Sequence, residues 1–183
     1  MAVFTVGHGT RTLDELTAIL EGAGVGRLVD VRRWPASQRN PQFARENLEH
    51  DLPLRGITYD FRGDRLGGRR GASSTGFSRH PAWRVKGFRN YADYMDTEEF
   101  ATAITDIEAE VRAGIRPCLM CAETLWWRCH RRLIADALVM RSVEVIHLLG
   151  ADERMTHRLH EAARPDDRNL PVYDAGFTGH LPL

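Results

Sequence analysis

Short apolar runs alternate with amphipathic segments along this chain, from residue 3 to residue 149. Most of the short runs are continuously apolar, which is typical of parallel strands covered by helices on both faces. Strands that alternate with helices predict an α/β fold with a mainly parallel sheet of about five strands. The five predicted strands are residues 3–6, 27–31, 57–61, 116–121 and 143–149.

Helix-start signals lie between these strands. Two Ser/Thr/Asp residues are followed three positions later by glutamate, the pattern of a capping box. An Asn-Pro pair is typical of an N-cap with proline at the first helical position. The signals and helices, in chain order, are the capping box Thr12/Glu15, the pair Asn40/Pro41, the capping box Asp96/Glu99, a helix over 130–140 and a short helix over 152–163.

The composition is that of an ordinary globular domain, with 183 residues of which 43% are hydrophobic and 27% charged. A chain of this size buries roughly 70% of its unfolded surface, enough for a core without cross-links. We therefore expect one α/β domain over residues 1–183. Three cysteines, an odd number, argue against a disulfide framework and favour a reducing cytoplasm. No apolar run reaches the roughly 20 residues of a membrane span, so we expect no membrane partner.

Charge is distributed unevenly although the net charge is zero. Residues 27–90 hold 14 Lys/Arg and 6 Asp/Glu, a difference of +8, whereas residues 91–127 hold 2 and 8, a difference of −6. Clustered positive charge is typical either of a solvated face or of an anionic partner such as a phosphate or a nucleic acid. Residues 62–84 are rich in arginine, glycine and serine and lack an apolar period. This long Arg/Gly-rich loop is either a lid over a binding site or a mobile connection.

Polar side chains follow the first two predicted strands, at the edge where α/β sheets bind ligands. His8 lies between two glycines, which permit a tight turn after the first strand. Asp30 and Arg32 share one face of the second strand, so they can pair and present the guanidinium, with neighbouring Arg33, to an anion. The alternatives are a histidine bound by nearby backbone and a purely structural ion pair.

The strongest chemical signal is a Cys-Ala-Glu triplet at 121–123, followed by a Cys-His-Arg triplet at 129–131. The second triplet opens a predicted helix, whose free backbone N–H groups stabilise a thiolate. The alternative is that Cys121 and Cys129 are buried apolar residues beside a capped helix. The predicted roles are Cys129 as nucleophile, His130 or His8 as base, and Glu123 as acid, base or orienting group.

The spacing of the same residues argues against a metal. Cys129 and His130 are adjacent, and on a helix adjacent side chains diverge by about 100°. Cys118 and Cys121 lie three apart on a strand, so their sulfurs would point to opposite faces. We therefore expect no metal site. The chain has neither a dinucleotide-binding glycine motif nor a Walker A motif, so we also expect no cofactor.

Together these motifs resemble those of a bacterial and archaeal family, the domain of unknown function 488. The resemblance runs from residue 3 to about residue 150 and implies a three-layer, Rossmann-like α/β domain without an established activity. It also marks Ser37, Gly67 and Gly68 as candidate binding residues. The matching positions are residues 5–8, 30–37, 59, 66–68, 119–123, 129–131 and 147.

Two functions fit these observations. The first is an enzyme, a hydrolase or group transferase, acting on an anionic and nucleotide-like or nucleic-acid-derived substrate above the strand ends. The second is a binding module for nucleic acid or a small anion, without catalysis. No helix carries a coiled-coil pattern, so the sequence predicts no oligomeric state. The residues expected to bind the anionic partner are Asp30, Arg32, Arg33, Ser37, Gly67, Gly68 and Arg131.

Overall fold

The computed structural model describes residues 2–36 and 38–176 and contains an α/β fold with a mostly parallel sheet. The strands are β1 (Ala2–Gly7), β2 (Arg27–Asp30), β3 (Thr58–Phe61), β4 (Pro117–Cys121), β5 (Glu144–Leu148), β6 (Arg154–Thr156), β7 (Ala163–Pro165) and β8 (Pro171–Tyr173). The helices are α1 (Leu13–Gly22), α2 (Arg45–Asp51), α3 (Gly63–Leu66), α4 (Lys86–Met95), α5 (Glu98–Arg112) and α6 (Arg131–Met140).

The main sheet has six strands in the order β3-β2-β4-β1-β5-β6, and β7 and β8 form a separate hairpin. The pairs among β1 to β5 are parallel, whereas β6 is antiparallel to β5. All five predicted strands are therefore confirmed. Among the described residues, no helix is long and apolar enough to cross a bilayer.

Both faces of the sheet are apolar because successive strand residues point to opposite sides. Val29 and Leu119 contribute to a core with α4, α5 and α6. Leu28 and Met120 contribute to a second core with α1 and α2. This two-sided burial explains the continuous apolar runs in the sequence.

Three carboxyl ends meet at the middle of the sheet, because β4 lies between β2 and β1. The backbone pairing continues past the strands: Val31 N–H donates to the Met120 carbonyl over 3.0 Å, and His8 N–H donates to the Cys121 carbonyl over 2.9 Å. A Cβ on Gly7 would lie only 2.1 Å from the Glu123 carbonyl oxygen, so glycine permits this close approach. The segments after β1, β2 and β4 are thus held side by side.

The predicted helix starts had different outcomes. The Thr12 hydroxyl accepts from Glu15 N–H over 3.1 Å and Glu15 accepts from Thr12 N–H over 2.7 Å, so this capping box is confirmed. The second box is wrong: Thr97 caps α5, and the Asp96 carboxylate instead accepts from Arg79 over 2.7 and 2.9 Å. The Asn-Pro pair leads into a 3-10 turn, Pro41–Phe43, and α2 begins two residues later.

The end of the chain and the basic loop also differ from the prediction. The helix expected over 152–163 is wrong, because β6 occupies residues 154–156 and pairs with the edge of β5. The residue that follows β6, His157, is buried. In the Arg/Gly-rich segment, α3 takes the beginning, and residues 67–85 contain neither helix nor strand.

Candidate active site

A cavity of about 910 Å³ lies at the carboxyl ends of β2 and β4. Its walls come from the segment after β2, the start of the irregular segment 67–85, α4, and the connection between β4 and α6. The structure therefore gathers residues that are as much as 98 positions apart in the chain, from Arg32 to His130. The predicted site residues in its wall are Arg32, Arg33, Gly68, Cys121, Glu123, Cys129 and His130.

The other predicted residues are not among those that line the cavity. Asp30, His8 and Arg131 are buried, with at most 2% of their surface exposed. Gly67 is buried where a Cβ would lie 2.7 Å from the Arg33 Cα, so it lets the two segments pack closely. Ser37 lies outside the described residues.

Cys129 and His130 form a thiol–imidazole pair. The Nε2 of His130 lies 3.0 Å from the Val31 carbonyl oxygen, and a carbonyl can only accept, so Nε2 carries a proton. In the neutral ring Nδ1 is then an acceptor, and it lies 3.6 Å from Cys129 Sγ. The backbone of β2 thus orients the imidazole so that it can take the thiol proton.

The convergence of these two neighbours overturns the argument that their side chains diverge. That argument places both residues on a helix, but α6 begins at Arg131, and Cys129 has an extended backbone (φ −117°, ψ 149°). Cys121 at the end of β4 joins them: its sulfur, Cys129 Sγ and His130 Nδ1 all lie within 4.8 Å of one another. Two sulfurs and one imidazole nitrogen this close could hold a metal ion.

Arg131 is the positive charge next to the thiol. Its side chain is 1% exposed, and its Nε donates to Cys129 Sγ over 3.4 Å. Its other nitrogens donate to the Thr5 hydroxyl over 3.5 Å and to the Glu123 carbonyl. In residues 2–36 and 38–176, no carboxylate lies within ion-pair distance of this guanidinium. A buried arginine without a carboxylate favours negative charge on the sulfur beside it.

The pKa values of the Cys121 and Cys129 thiols are shifted in opposite directions. Burial works to raise the pKa of Cys129, but the hydrogen bond from Cys121 and the charges of His130 and Arg131 lower it well below the ordinary value. The pKa of the Cys121 thiol is raised well above the ordinary value by its hydrogen bond to Cys129 and by burial. The Cys129 thiol therefore loses its proton more readily than the Cys121 thiol.

Arg32 is held by a buried pair of partners. Its Nε donates to the Asp30 carboxylate over 2.9 Å, and the hydroxyl of Tyr59 donates to the same carboxylate over 2.7 Å. His8 Nδ1 donates to the Gly9 carbonyl, so its Nε2 accepts from Arg32 over 3.3 Å. Burial and the Arg32 charge lower the pKa of His8 to about 4. His8 is thus neutral near pH 7 and orients Arg32, and His130 is the imidazole that contacts the thiol.

A basic and aromatic face forms another part of the cavity wall. The Nη1 of Arg33 is buried without a hydrogen-bond partner, and Trp34 next to it is 62% exposed. The guanidinium groups of Arg33 and Arg69 lie 5.8 and 5.9 Å from the Trp34 ring. Arg128 lines the same cavity and is exposed. Sequence reasoning gave no binding role to Trp34 or Arg128, although Trp34 directly follows the Arg32–Arg33 pair, whereas Arg69 belongs to the Arg/Gly-rich loop that was considered as a lid over a binding site.

Comparison with known proteins gives the family. The model of "Domain of unknown function DUF488" matches residues 12–138. The chain belongs to the DUF488 family. The match confirms the family that the motifs indicate, and the DUF488 region contains every residue that lines the cavity. Neither the curated proteins nor the solved structures gave a match.

Behind the thiol, this DUF488 chain has a row of buried hydrogen bonds. The Thr5 hydroxyl lies 2.7 Å from His147 Nδ1, and His147 Nε2 lies 3.0 Å from His157 Nδ1. His157 Nε2 donates to the Asp136 carboxylate over 2.9 Å, since a carboxylate only accepts. With both histidines neutral, every donor points toward Asp136. The row thus connects the Arg131 cation, which donates to Thr5, with a buried carboxylate.

Proposed function

We propose that this DUF488 member is a hydrolase or group transferase that acts on an anionic, nucleotide-like substrate with Cys129 as nucleophile. The observation that carries the proposal is the Cys129–His130 pair in the wall of a cavity that four arginines also line. The proposal treats the chain as a single three-layer, Rossmann-like domain with its site at the carboxyl edge of the sheet. The proposal also includes a cytoplasmic location, which the three free cysteines support because disulfides are rare in that reducing compartment.

The chemistry starts at the sulfur. The Sγ proton of Cys129 passes to Nδ1 of His130, and the thiolate attacks an electrophilic carbon or phosphorus atom. The new bond to sulfur forms while the bond to the leaving group breaks, and His130 returns its proton to that group. Water or an acceptor alcohol then attacks the intermediate, gives its proton to His130 and releases the sulfur. We assign the orientation of that second nucleophile to Glu123, which is an exposed carboxylate in the cavity wall.

The substrate class follows from the basic and aromatic face. Arg33, Arg69 and Arg128 have no carboxylate within ion-pair distance among the described residues, so their guanidinium groups are available to phosphate oxygens. Trp34 offers an exposed ring on which a base can stack. Arg32 is already paired with Asp30, so it is a weaker candidate for the anion than the three other arginines of the wall. The segment 67–85 contributes Gly68 and Arg69 to the wall and is proposed as the lid.

The test is turnover on a panel of nucleotides, phosphodiesters and acylated nucleotides, with product detected by chromatography. Cys129→Ser should lower the rate by roughly 100-fold or more, because the hydroxyl is a far weaker nucleophile at neutral pH. Cys118→Ser is the matched control, since Cys118 is buried on the opposite side of β4. Unchanged turnover in Cys129→Ser would refute the proposal.

A binding module without catalysis is the second candidate, and the buried, unpartnered Arg33 Nη1 favours it equally. Nucleotide binding without turnover of any panel member would select it. The affinity should then fall steeply with salt concentration and be indifferent to Cys129→Ser.

A further inference from the structure

Cys121, Cys129 and His130 form a compact set of three donor atoms, here called the thiol cluster. The proposed reaction uses Cys129 and His130 but gives Cys121 no part. Ideal tetrahedral zinc geometry places sulfur and nitrogen ligands about 3.6 Å apart, given zinc–ligand distances of about 2.3 and 2.1 Å. Cys129 Sγ and His130 Nδ1 are 3.6 Å apart, and all three atoms lie within 4.8 Å. The cluster therefore already has nearly the spacing that one metal ion requires.

The surroundings of the cluster match those of metal ligands. A metal-bound histidine usually donates its second ring N–H to a backbone carbonyl or a carboxylate, and His130 Nε2 does so to Val31 over 3.0 Å. Coordinated thiolates accept N–H donors, and Arg131 Nε supplies one to Cys129 Sγ. These contacts fix the side chains in the orientation that points the free donor atoms at one another.

The residue packed beside the imidazole is one that leaves the donor nitrogen uncovered by a side chain. Position 68 is a glycine, and a Cβ there would lie 2.8 Å from His130 Nδ1. Any other side chain would occupy the volume next to the donor nitrogen. Cys121, Cys129 and His130 all line the 910 Å³ cavity, so a fourth ligand position would face the solvent-filled space. Three protein ligands and one open position are typical of exchangeable or reactive zinc sites.

The donor types select the class of metal. Two sulfurs and one imidazole nitrogen favour zinc-type and other thiophilic ions over Mg²⁺ or Ca²⁺, which prefer oxygen. Coordination releases the thiol protons to solvent, and the two thiolates with the neutral imidazole then carry a charge of −2, which holds a dication even beside the single positive charge of Arg131. Among the described residues, this is the one group of His, Cys, Asp and Glu side chains compact enough to hold an ion.

We propose that the thiol cluster binds one zinc-type metal ion and that this binding switches off the nucleophile. Coordination occupies the one lone pair of His130 Nδ1, which would take the thiol proton, and withdraws electron density from the Cys129 sulfur, so a bound ion suppresses the covalent step. The metal site stands on geometry alone, whereas its inhibitory effect rests on the proposed function.

The first experiment measures binding without any substrate. The chelator-treated, reduced full-length protein is titrated with Co²⁺, and thiolate-to-cobalt charge-transfer bands and the visible bands of a tetrahedral site are recorded. We expect one Co²⁺ per chain and displacement by one equivalent of Zn²⁺. Cys121→Ser and His130→Gln should weaken binding by roughly 100-fold, whereas Cys118→Ser should bind like the natural chain. Near-UV circular dichroism of each variant checks that it is folded.

The second experiment measures protection of the nucleophile. Iodoacetamide modification of Cys129 is followed by mass spectrometry with and without one equivalent of Zn²⁺, with Mg²⁺ as the control ion. Zn²⁺ should slow modification at least about tenfold in the natural chain and in Cys118→Ser, and have little effect in Cys121→Ser. Absence of cobalt–thiolate bands, or bands that persist in Cys121→Ser, would overturn the metal site.

The outcomes separate this inference from the proposed function. Failure to bind Co²⁺, together with loss of turnover in Cys129→Ser, overturns the metal site and leaves the nucleophile in place. Cobalt binding by the cluster, together with turnover that disappears on chelation, confirms the site and overturns both inhibition and the nucleophile. Cobalt binding by the cluster, together with turnover that rises on chelation, supports both the metal site and its inhibition of the nucleophile.

Discussion

A methyl group at position 68 tests whether the imidazole of His130 must stay where it is. A Cβ on Gly68 would lie 2.8 Å from His130 Nδ1, and ordinary contact begins at 3.4 Å, so the ring must retreat by the difference of 0.6 Å. The ring has little room, because Nε2 is bound to Val31 at 3.0 Å and the Tyr91 ring is 5.1 Å away. We expect Gly68→Ala to destabilise the fold by about 1–3 kcal/mol through overpacking.

The assay is the rate of Cys129 modification by iodoacetamide at about pH 6.5, together with urea unfolding. Displacement of His130 weakens its support of the thiolate, and a loss of about 1.4 kcal/mol would lower the rate roughly tenfold. Gly71→Ala is the control, since a Cβ there meets nothing within 4 Å. If both variants showed the same modification rate and the same unfolding free energy, the role assigned to the His130 position would be refuted.

Three further predictions concern pH, the buried carboxylate and the anion site. Burial lowers the pKa of His8 to about 4 and that of His147 to about 3, whereas both have a pKa of 6.5 in the unfolded chain. As the pH falls, the unfolded chain therefore binds protons before the folded chain does. The unfolding free energy, measured by urea unfolding, should therefore fall by about 2 kcal/mol for each of these two histidines between pH 7 and pH 5. His8→Gln should remove about half of the combined loss. An equal loss in the variant and the natural chain would contradict the role of His8. Asp136→Asn should lower the unfolding free energy by about 1–3 kcal/mol, because the amide NH2 group cannot accept one of the hydrogen bonds that the carboxylate accepts from His157 and Tyr173. Exposed Asp152→Asn should change little, and a drop below about 0.5 kcal/mol in Asp136→Asn would count against the row. Arg33→Met should weaken nucleotide binding roughly tenfold in calorimetry at low salt with unchanged unfolding, and equal affinity would remove Arg33 from the anion site.

The main sheet could be predicted because its strands have a strong local pattern. Strands such as β4, with four of five residues buried, must be apolar at successive positions, and that requirement is visible in the sequence. The strands β6, β7 and β8 have three residues each, and every residue of β6 is exposed. An exposed three-residue strand depends on pairing with a neighbour and leaves no apolar period, so residues 152–163 suggested a helix instead.

The reactive residues could be located, but their partners could not. Sequence motifs place Cys121 and Cys129 near strand ends, because polar residues directly after a buried run stand out. Whether the imidazole of His130 points toward or away from Cys129 depends on where α6 begins and on the Val31 carbonyl, 99 positions away. Neither can be read from local spacing, so the expectation that the two side chains diverge was mistaken.

The sequence by itself determined which segments are buried and which chemical groups follow the strands, because burial and helix starts impose periodic or short-range patterns. Only the tertiary structure decided which of those groups meet. Loop conformation and strand order set distances of a few ångströms between residues far apart in the chain, as between Gly68 and His130. Thiol chemistry and metal affinity depend on those distances, which leave no pattern in the order of residues.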